Sequence, residues 1–193
     1  MSFLAQSRYT ADQYLELERR ADCKSEFING QIYAMSGANR RHNQITFNLA
    51  GLLHSQLRGR PCEAYVTDMR VKISSTGMYA YPDVAALCGE ALFEDTHLDT
   101  LINPTLIIEV LSPSTEAYDR GGKFSHYRKI QSLMEYVLIA QDRYSVERFL
   151  RQENQWLFSE STDLSDVVHL QSIQCELLPR EIYDKVTIPD DTE

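Results

Sequence analysis

The sequence predicts an α/β fold in which helices flank a mixed β-sheet, and three observations carry that reading. Thr105-Leu106-Ile107-Ile108-Glu109-Val110-Leu111 is a short, nearly continuous apolar run, as expected of a strand covered on both faces. Ile45, Leu49, Leu52, Leu53 and Leu57 recur at helical spacing, so one face of that helix packs on a sheet. Asn29-Gly30 between apolar-rich arms is a strong local signal for a β-hairpin.

The elements follow in order. Thr10-Ala11-Asp12-Gln13 has the form of a capping box, opening a short helix to about residue 20. The Asn29-Gly30 hairpin and the helix over 42–57 come next, and Gly59-Arg60-Pro61 ends that helix. One strand is expected over 64–73, closed by Ser74-Ser75-Thr76-Gly77. Tyr81-Pro82-Asp83-Val84 opens another, where Pro82 implies an edge or irregular position. Residues 90–103 read as loop with a short helix. After the Glu109 strand, a helix is expected from Tyr118 or Asp119 to about residue 131, with Asp119 as its N-cap. Strands follow over 135–140, 145–151 and 155–159, then one or two short strands beyond Val167. Pro179 suits the first turn of a closing helix to about residue 186. No linker or repeat divides the 193 residues, so a single domain over 1–193 is expected.

Composition narrows the function classes. A 43% hydrophobic and 24% charged chain fits a folded soluble protein, with no run long enough to cross a membrane and no signal-peptide pattern over residues 1–8. A cytoplasmic location is the default expectation. Cys23, Cys62, Cys88 and Cys175 are scattered, with no Cys-x-x-Cys pair; reduced thiols are expected, with Cys62 and Cys175 as small apolar fillers. The net charge of −9 counts against tight nonspecific binding of DNA by charge alone. Basic residues cluster locally at Arg40, Arg41 and His42, at Arg58 and Arg60, and at Arg120, Lys123, Arg128 and Lys129, in each case more simply a solvated face.

Glu109 is the residue that breaks the pattern. A carboxylate inside an apolar strand must be neutralised, paired or bound to a cation. A salt bridge to Lys72 or Arg70 would suffice; a divalent metal would too. Asp83 lies in a similar setting, and Mg²⁺ takes hard oxygen ligands, one or two carboxylates with waters and substrate phosphate. Asp83, Glu109 and the carbonyl of Val110 are therefore candidate metal ligands. Asp119, Lys123 and Tyr127 recur at about one helical turn and share a face, which makes Lys123 the candidate cation for a phosphoryl transition state. Each has a plainer reading: Asp83 as a strand cap, Lys123 as a surface lysine, Tyr127 as packing, His42 as a hydrogen-bonding residue at a helix start, and Glu26 as an exposed strand residue.

Together these segments resemble a known family. Tyr81-Pro82-Asp83-Val84, Ile108-Glu109-Val110-Leu111-Ser112-Pro113-Ser114-Thr115, the Asp119/Lys123/Tyr127 spacing and Glu135-Tyr136-Val137-Leu138-Ile139 resemble the Uma-type restriction-endonuclease-like family, once catalogued as a domain of unknown function. The likeness extends to the segment from Glu26 to Ser36 and to His42-Asn43-Gln44-Ile45. It implies a PD-(D/E)XK nuclease core, Mg²⁺ or Mn²⁺ as cofactor, DNA as substrate, and Glu26, Asp83, Glu109 and Lys123 as catalytic residues. The superfamily's usual lysine stands two residues after the glutamate, where this chain has Leu111; the resemblance implies its relocation to Lys123. A homodimer is expected by analogy with related folds. The alternatives are a non-catalytic binding or regulatory module on the same fold, and a metal hydrolase of small phosphoesters.

Overall fold

The computed structural model describes residues 8–188, so all but the last residue of the segment read for a signal peptide lies outside the described residues. Helix α1 (Ala11–Glu18) starts in the expected capping box, with Thr10 and Gln13 exchanging side-chain-to-backbone hydrogen bonds. Strands β1 (Ser25–Ile28) and β2 (Gln31–Ala34) form the Asn29-Gly30 hairpin, in which both turn residues have positive φ, 52° and 84°. Helix α2 (Arg40–Leu57) follows, capped by the Asn39 side chain.

The strand expected over 64–73 is two strands, β3 (Cys62–Val66) and β4 (Arg70–Ile73), in different sheets. Thr67 has φ 61° and breaks the run, and Lys24 Nζ holds the corner through the Thr67 carbonyl and the Asp68 carboxylate. The returning chain bends at the same level. Strand β5 (Met78–Ala80) pairs with β4, and β6 (Val84–Cys88) pairs with β3. Thr67 N donates to the Asp83 carbonyl at 2.9 Å and ties the two bends together. Pro82 is thus irregular for a specific reason: it lies where one long hairpin crosses between sheets. Asp83 sits at that corner.

Residues 90–103 contain no helix; strand β7 (Thr100–Leu101) lies parallel to β4 there. Strand β8 (Leu106–Leu111) pairs antiparallel with β6 and parallel with β9 (Glu135–Ala140). Between them runs a helical segment, shorter than expected and in three pieces: α3 (Glu116–Tyr118), a π-helical turn (Asp119–Lys123) and α4 (Phe124–Tyr127). Asp119 is therefore inside the segment and is not its N-cap; that place belongs to Thr115. Strands β10 (Val146–Gln152) and β11 (Gln155–Ser161) extend the sheet, and β12 (Val168–Leu170), β13 (Cys175–Leu177) and the short α5 (Pro179–Ile182) complete the described chain.

Two sheets result, ordered β2-β1-β5-β4-β7 and β11-β10-β9-β8-β6-β3, with β12 and β13 as a separate pair. Alternation along β8 divides the core. Leu106, Ile108 and Val110 pack with α2, β13 and α5; Ile107 and Leu111 pack with the first sheet and with Tyr127, Ile130 and Leu133. Glu109 shares the second face.

The cysteines depart from the expectation of reduced thiols. Cys62 and Cys88 lie directly opposite each other on β3 and β6, Cα atoms 3.9 Å apart, and are joined by a disulfide. Only the register brings them together, because 26 residues and no motif separate them. Cys175 is buried as a filler, and Cys23 is exposed. Among the described residues, no helix is long and apolar enough to cross a membrane.

Candidate active site

Three of the acids named from sequence surround one ammonium. Lys123 Nζ lies 3.0 Å from Glu26 Oε1, 3.0 Å from Glu109 Oε1 and 3.6 Å from Asp119 Oδ1. Lys123, Glu26, Glu109 and Asp119 are all buried. Lys72 and Arg70, the plainer partners considered for Glu109, pair instead with Glu94 and Asp99. Tyr127 also enters the cluster, its hydroxyl donating to Glu109 Oε1 at 3.0 Å.

Asp83 joins from the corner of the bent hairpin. Its Oδ2 accepts the Val110 N–H at 2.7 Å and lies 3.2 Å from His42 Nε2, so the first turn of α2 reaches the site. His42, read from sequence as a hydrogen-bonding residue, does hydrogen-bond distance work here on a carboxylate of the cluster. Continuing the β6/β8 register past Val84 opposite Ile108 sets Val110 opposite Pro82. Pro82 has no N–H, so it offers the Val110 carbonyl no ladder donor.

The remaining positions are held by elements rather than by chance rotamers. Glu26 sits in β1, where Tyr81 N reaches its Oε1 at 3.4 Å. Its neighbour Ser25 is pinned by Glu18, which accepts from the Ser25 N–H at 2.8 Å and from its hydroxyl. The Tyr81 hydroxyl donates to Glu18 at 3.0 Å and accepts from Arg70 Nη1 at 2.8 Å. The π turn is fixed at its start by the Tyr136 hydroxyl, which donates to the Asp119 carbonyl at 3.0 Å. Gly121 and Gly122 lower the cost of leaving regular α geometry there, and π turns of this kind recur at functional sites. Glu18 gave no signal in the sequence, and Tyr81 and Tyr136 stood only as members of the quoted segments without a role, because what they do depends on contacts between distant segments.

The electrostatics follow from burying more acid than base. Burial raises the Glu109 pKa well above its usual value, opposed by Lys123 and assisted by Asp119, Asp83 and Glu26. Asp119 is also raised, chiefly by burial. Burial acts to lower the Lys123 pKa, yet Glu109, Tyr127, Glu26 and Asp119 outweigh it and hold the ammonium well above the usual lysine range. The cluster therefore keeps Lys123 charged and draws a proton toward the carboxylates.

Donor chemistry in the cluster suits a hard divalent cation: carboxylates and a backbone carbonyl, with no thiolate. The side chains are nevertheless turned toward Lys123 and His42. Among the described residues, no three His, Cys, Asp or Glu side chains form a ready-made metal site.

Comparison with known proteins places the chain. The sequence model of the Uma2 family, described as "Putative restriction endonuclease", matches residues 11–179. The chain belongs to this family. Two Synechocystis sp. (strain ATCC 27184 / PCC 6803 / Kazusa) proteins are similar to this chain: "Uncharacterized protein sll1609", 43% identical over 78% of this chain and 86% of that protein, and "Uncharacterized protein slr1290", 35% identical over 91% and 92%. A crystal structure of a "putative nuclease belonging to DUF820" from Anabaena variabilis ATCC 29413 superposes with a TM-score of 0.77 over 92% of this chain and 99% of that one. At 19% identity that likeness establishes the fold, a restriction-endonuclease-like α/β core.

Proposed function

We propose that this Uma2 protein is a metal-dependent endonuclease that hydrolyses DNA phosphodiester bonds, using Mg²⁺ or Mn²⁺. The observation that carries the reading is Lys123, buried and bridging Glu26 and Glu109 beside Asp83. A packed core gains nothing from burying several acids around one lysine, because each carries a desolvation cost. Such surplus negative charge suits a site that receives a cation and a phosphate.

Asp83, Glu109 and the Val110 carbonyl would hold the metal, which when bound would supply charge stabilisation on phosphate oxygens and lower the pKa of a water. Glu26 holds Lys123 from the opposite strand, and Tyr127 fixes Glu109 by donating to it. Lys123 supplies the fixed positive charge at the phosphoryl centre in place of a lysine at Leu111. His42 orients Asp83, and the Val110 N–H anchors the same oxygen.

Plasmid nicking tests the proposal. Wild type with Mn²⁺ should convert supercoiled plasmid to open circle, and EDTA or Asp83→Asn should abolish the conversion. Nicking that persists unchanged in Asp83→Asn would refute it. The second reading, a binding module without turnover, is favoured by the lysine's occupation of the carboxylates; it requires DNA binding with no nicking under any metal.

A further inference from the structure

The proposed reaction leaves unanswered how a protein of net charge −9 holds a polyanion. Phosphate neutralisation supplies most nonspecific affinity for nucleic acid, and it is a poor source here. Stacking of bases on aromatic side chains is the other general source, and it works only for bases free of a duplex.

Two partly exposed tyrosines lie on the segments that carry the site. Tyr118 precedes the π turn immediately and is 37% exposed. The Cδ2–Cε2 edge of its ring lies against Gly122, so close that a Cβ there would meet both carbons at 2.7 Å. Glycine at that position is what leaves room for the ring edge. Tyr118 is the neighbour of Asp119 and touches Gly122, the residue before Lys123, which sets its ring against the turn that carries the cluster's ammonium. Tyr33 lies directly opposite Glu26 across the β1/β2 pair. Cross-strand partners share a face, so its ring flanks the carboxylate on the edge strand, 49% exposed. Neither ring belongs to a core cluster.

We propose that Tyr118 and Tyr33 are stacking platforms for unpaired bases beside the cluster, and that the substrate is a phosphodiester strand with a single-stranded stretch. The inference rests on the nuclease reading of the cluster, but its test does not require cleavage. Fluorescence anisotropy with a labelled dT₁₂ strand, an rU₁₂ strand and a 12-base-pair duplex, all in EDTA, reads binding alone. Wild type should bind at least one single strand more tightly than the duplex, and the tighter of the two identifies the sugar. Tyr118→Ala and Tyr33→Ala should each weaken single-strand binding about 10-fold, while Tyr118→Phe and Tyr33→Phe retain it. Tyr33→Ala lies on an exposed edge strand and keeps the test valid if Tyr118→Ala disturbs the π turn. Equal binding of duplex and single strands, binding unaffected by either alanine, or no binding of any probe would overturn the inference. Tyrosine-dependent binding without any nicking would instead sustain it and remove the nuclease reading.

Discussion

Lys123→Met removes the ammonium and keeps an unbranched stem of similar length. In the metal-free protein, Lys123 is within 3.0 Å of Glu26 and Glu109 and 3.6 Å of Asp119, so the substitution leaves three buried acids without their shared cation. Breaking a buried ionic cluster from one side costs about 3–5 kcal/mol. In a chain of this size each kcal/mol moves Tm by roughly 2–4 °C, giving a fall of about 6–20 °C in EDTA. A divalent cation can restore the missing charge, so Mn²⁺ should stabilise the variant more than wild type and bind it more tightly. Under the proposed reaction the loss of a transition-state contact lowers the cleavage rate by about 10²–10³, even at saturating metal. Melting curves with EDTA and with Mn²⁺, calorimetric titration and single-turnover cleavage read these three effects. A Tm in EDTA within about 2 °C of wild type, with unchanged Mn²⁺ affinity, would refute the argument that Lys123 is the cluster's counter-ion.

Other consequences follow from the same geometry. Glu109 has a folded pKa raised above its usual 4.5, so the folded state binds more protons than the unfolded one above that pH and stability falls as pH rises; Glu109→Gln should flatten this slope and raise Tm at pH 8, and an unchanged slope in denaturant titrations would count against it. The raised Lys123 pKa acts in a different window: its contribution is complete below about pH 10.5 and is lost as pH rises through the folded value, so alkaline melting should steepen in wild type and not in Lys123→Met. Cys88→Ser opens the Cys62–Cys88 link, which spans 26 residues, and should cost about 3–4 kcal/mol by urea denaturation under non-reducing conditions; equal midpoints for the two proteins would show the link contributes nothing. Gly122→Ala should cost about 1–3 kcal/mol as the new methyl meets the Tyr118 ring, and a denaturation midpoint equal to wild type would show that the ring yields freely.

Local patterns carried far into the fold. The capping box at Thr10, the Asn29-Gly30 turn, the apolar stripe of α2 and the apolar strand around Glu109 each depend on neighbours in sequence, and each stands where its pattern put it. What was not legible depended on distant partners. Nothing local in residues 64–73 announces that Thr67 turns the chain from one sheet into another, since the bend is held by Asp83 and Lys24. The pairing of Cys62 with Cys88 needs the β3/β6 register. The π turn was hidden because Asp119, Lys123 and Tyr127 keep a spacing that an ordinary helix would also satisfy; only the Gly121-Gly122 pair hinted at an interruption. At the site, Glu109 and Asp83 could be named because a carboxylate in an apolar strand is costly, whereas Glu26 and His42 entered only through the family resemblance and Tyr118 is an ordinary residue until the tertiary structure sets it against Gly122.

The proposed reaction places phosphodiester cleavage at the cluster of Glu26, Asp83, Glu109 and Lys123, and Glu109→Gln removes one of its carboxylates with little change of shape. The substitution keeps the size of the side chain and an oxygen for the Tyr127 hydroxyl while removing the carboxylate. Single-turnover cleavage of a labelled DNA strand at saturating Mn²⁺ is the measurement. Wild type should cleave at a measurable rate, and Glu109→Gln should lower it by at least about 10² while being as stable as wild type or more so. Equal rates in the two proteins would contradict it.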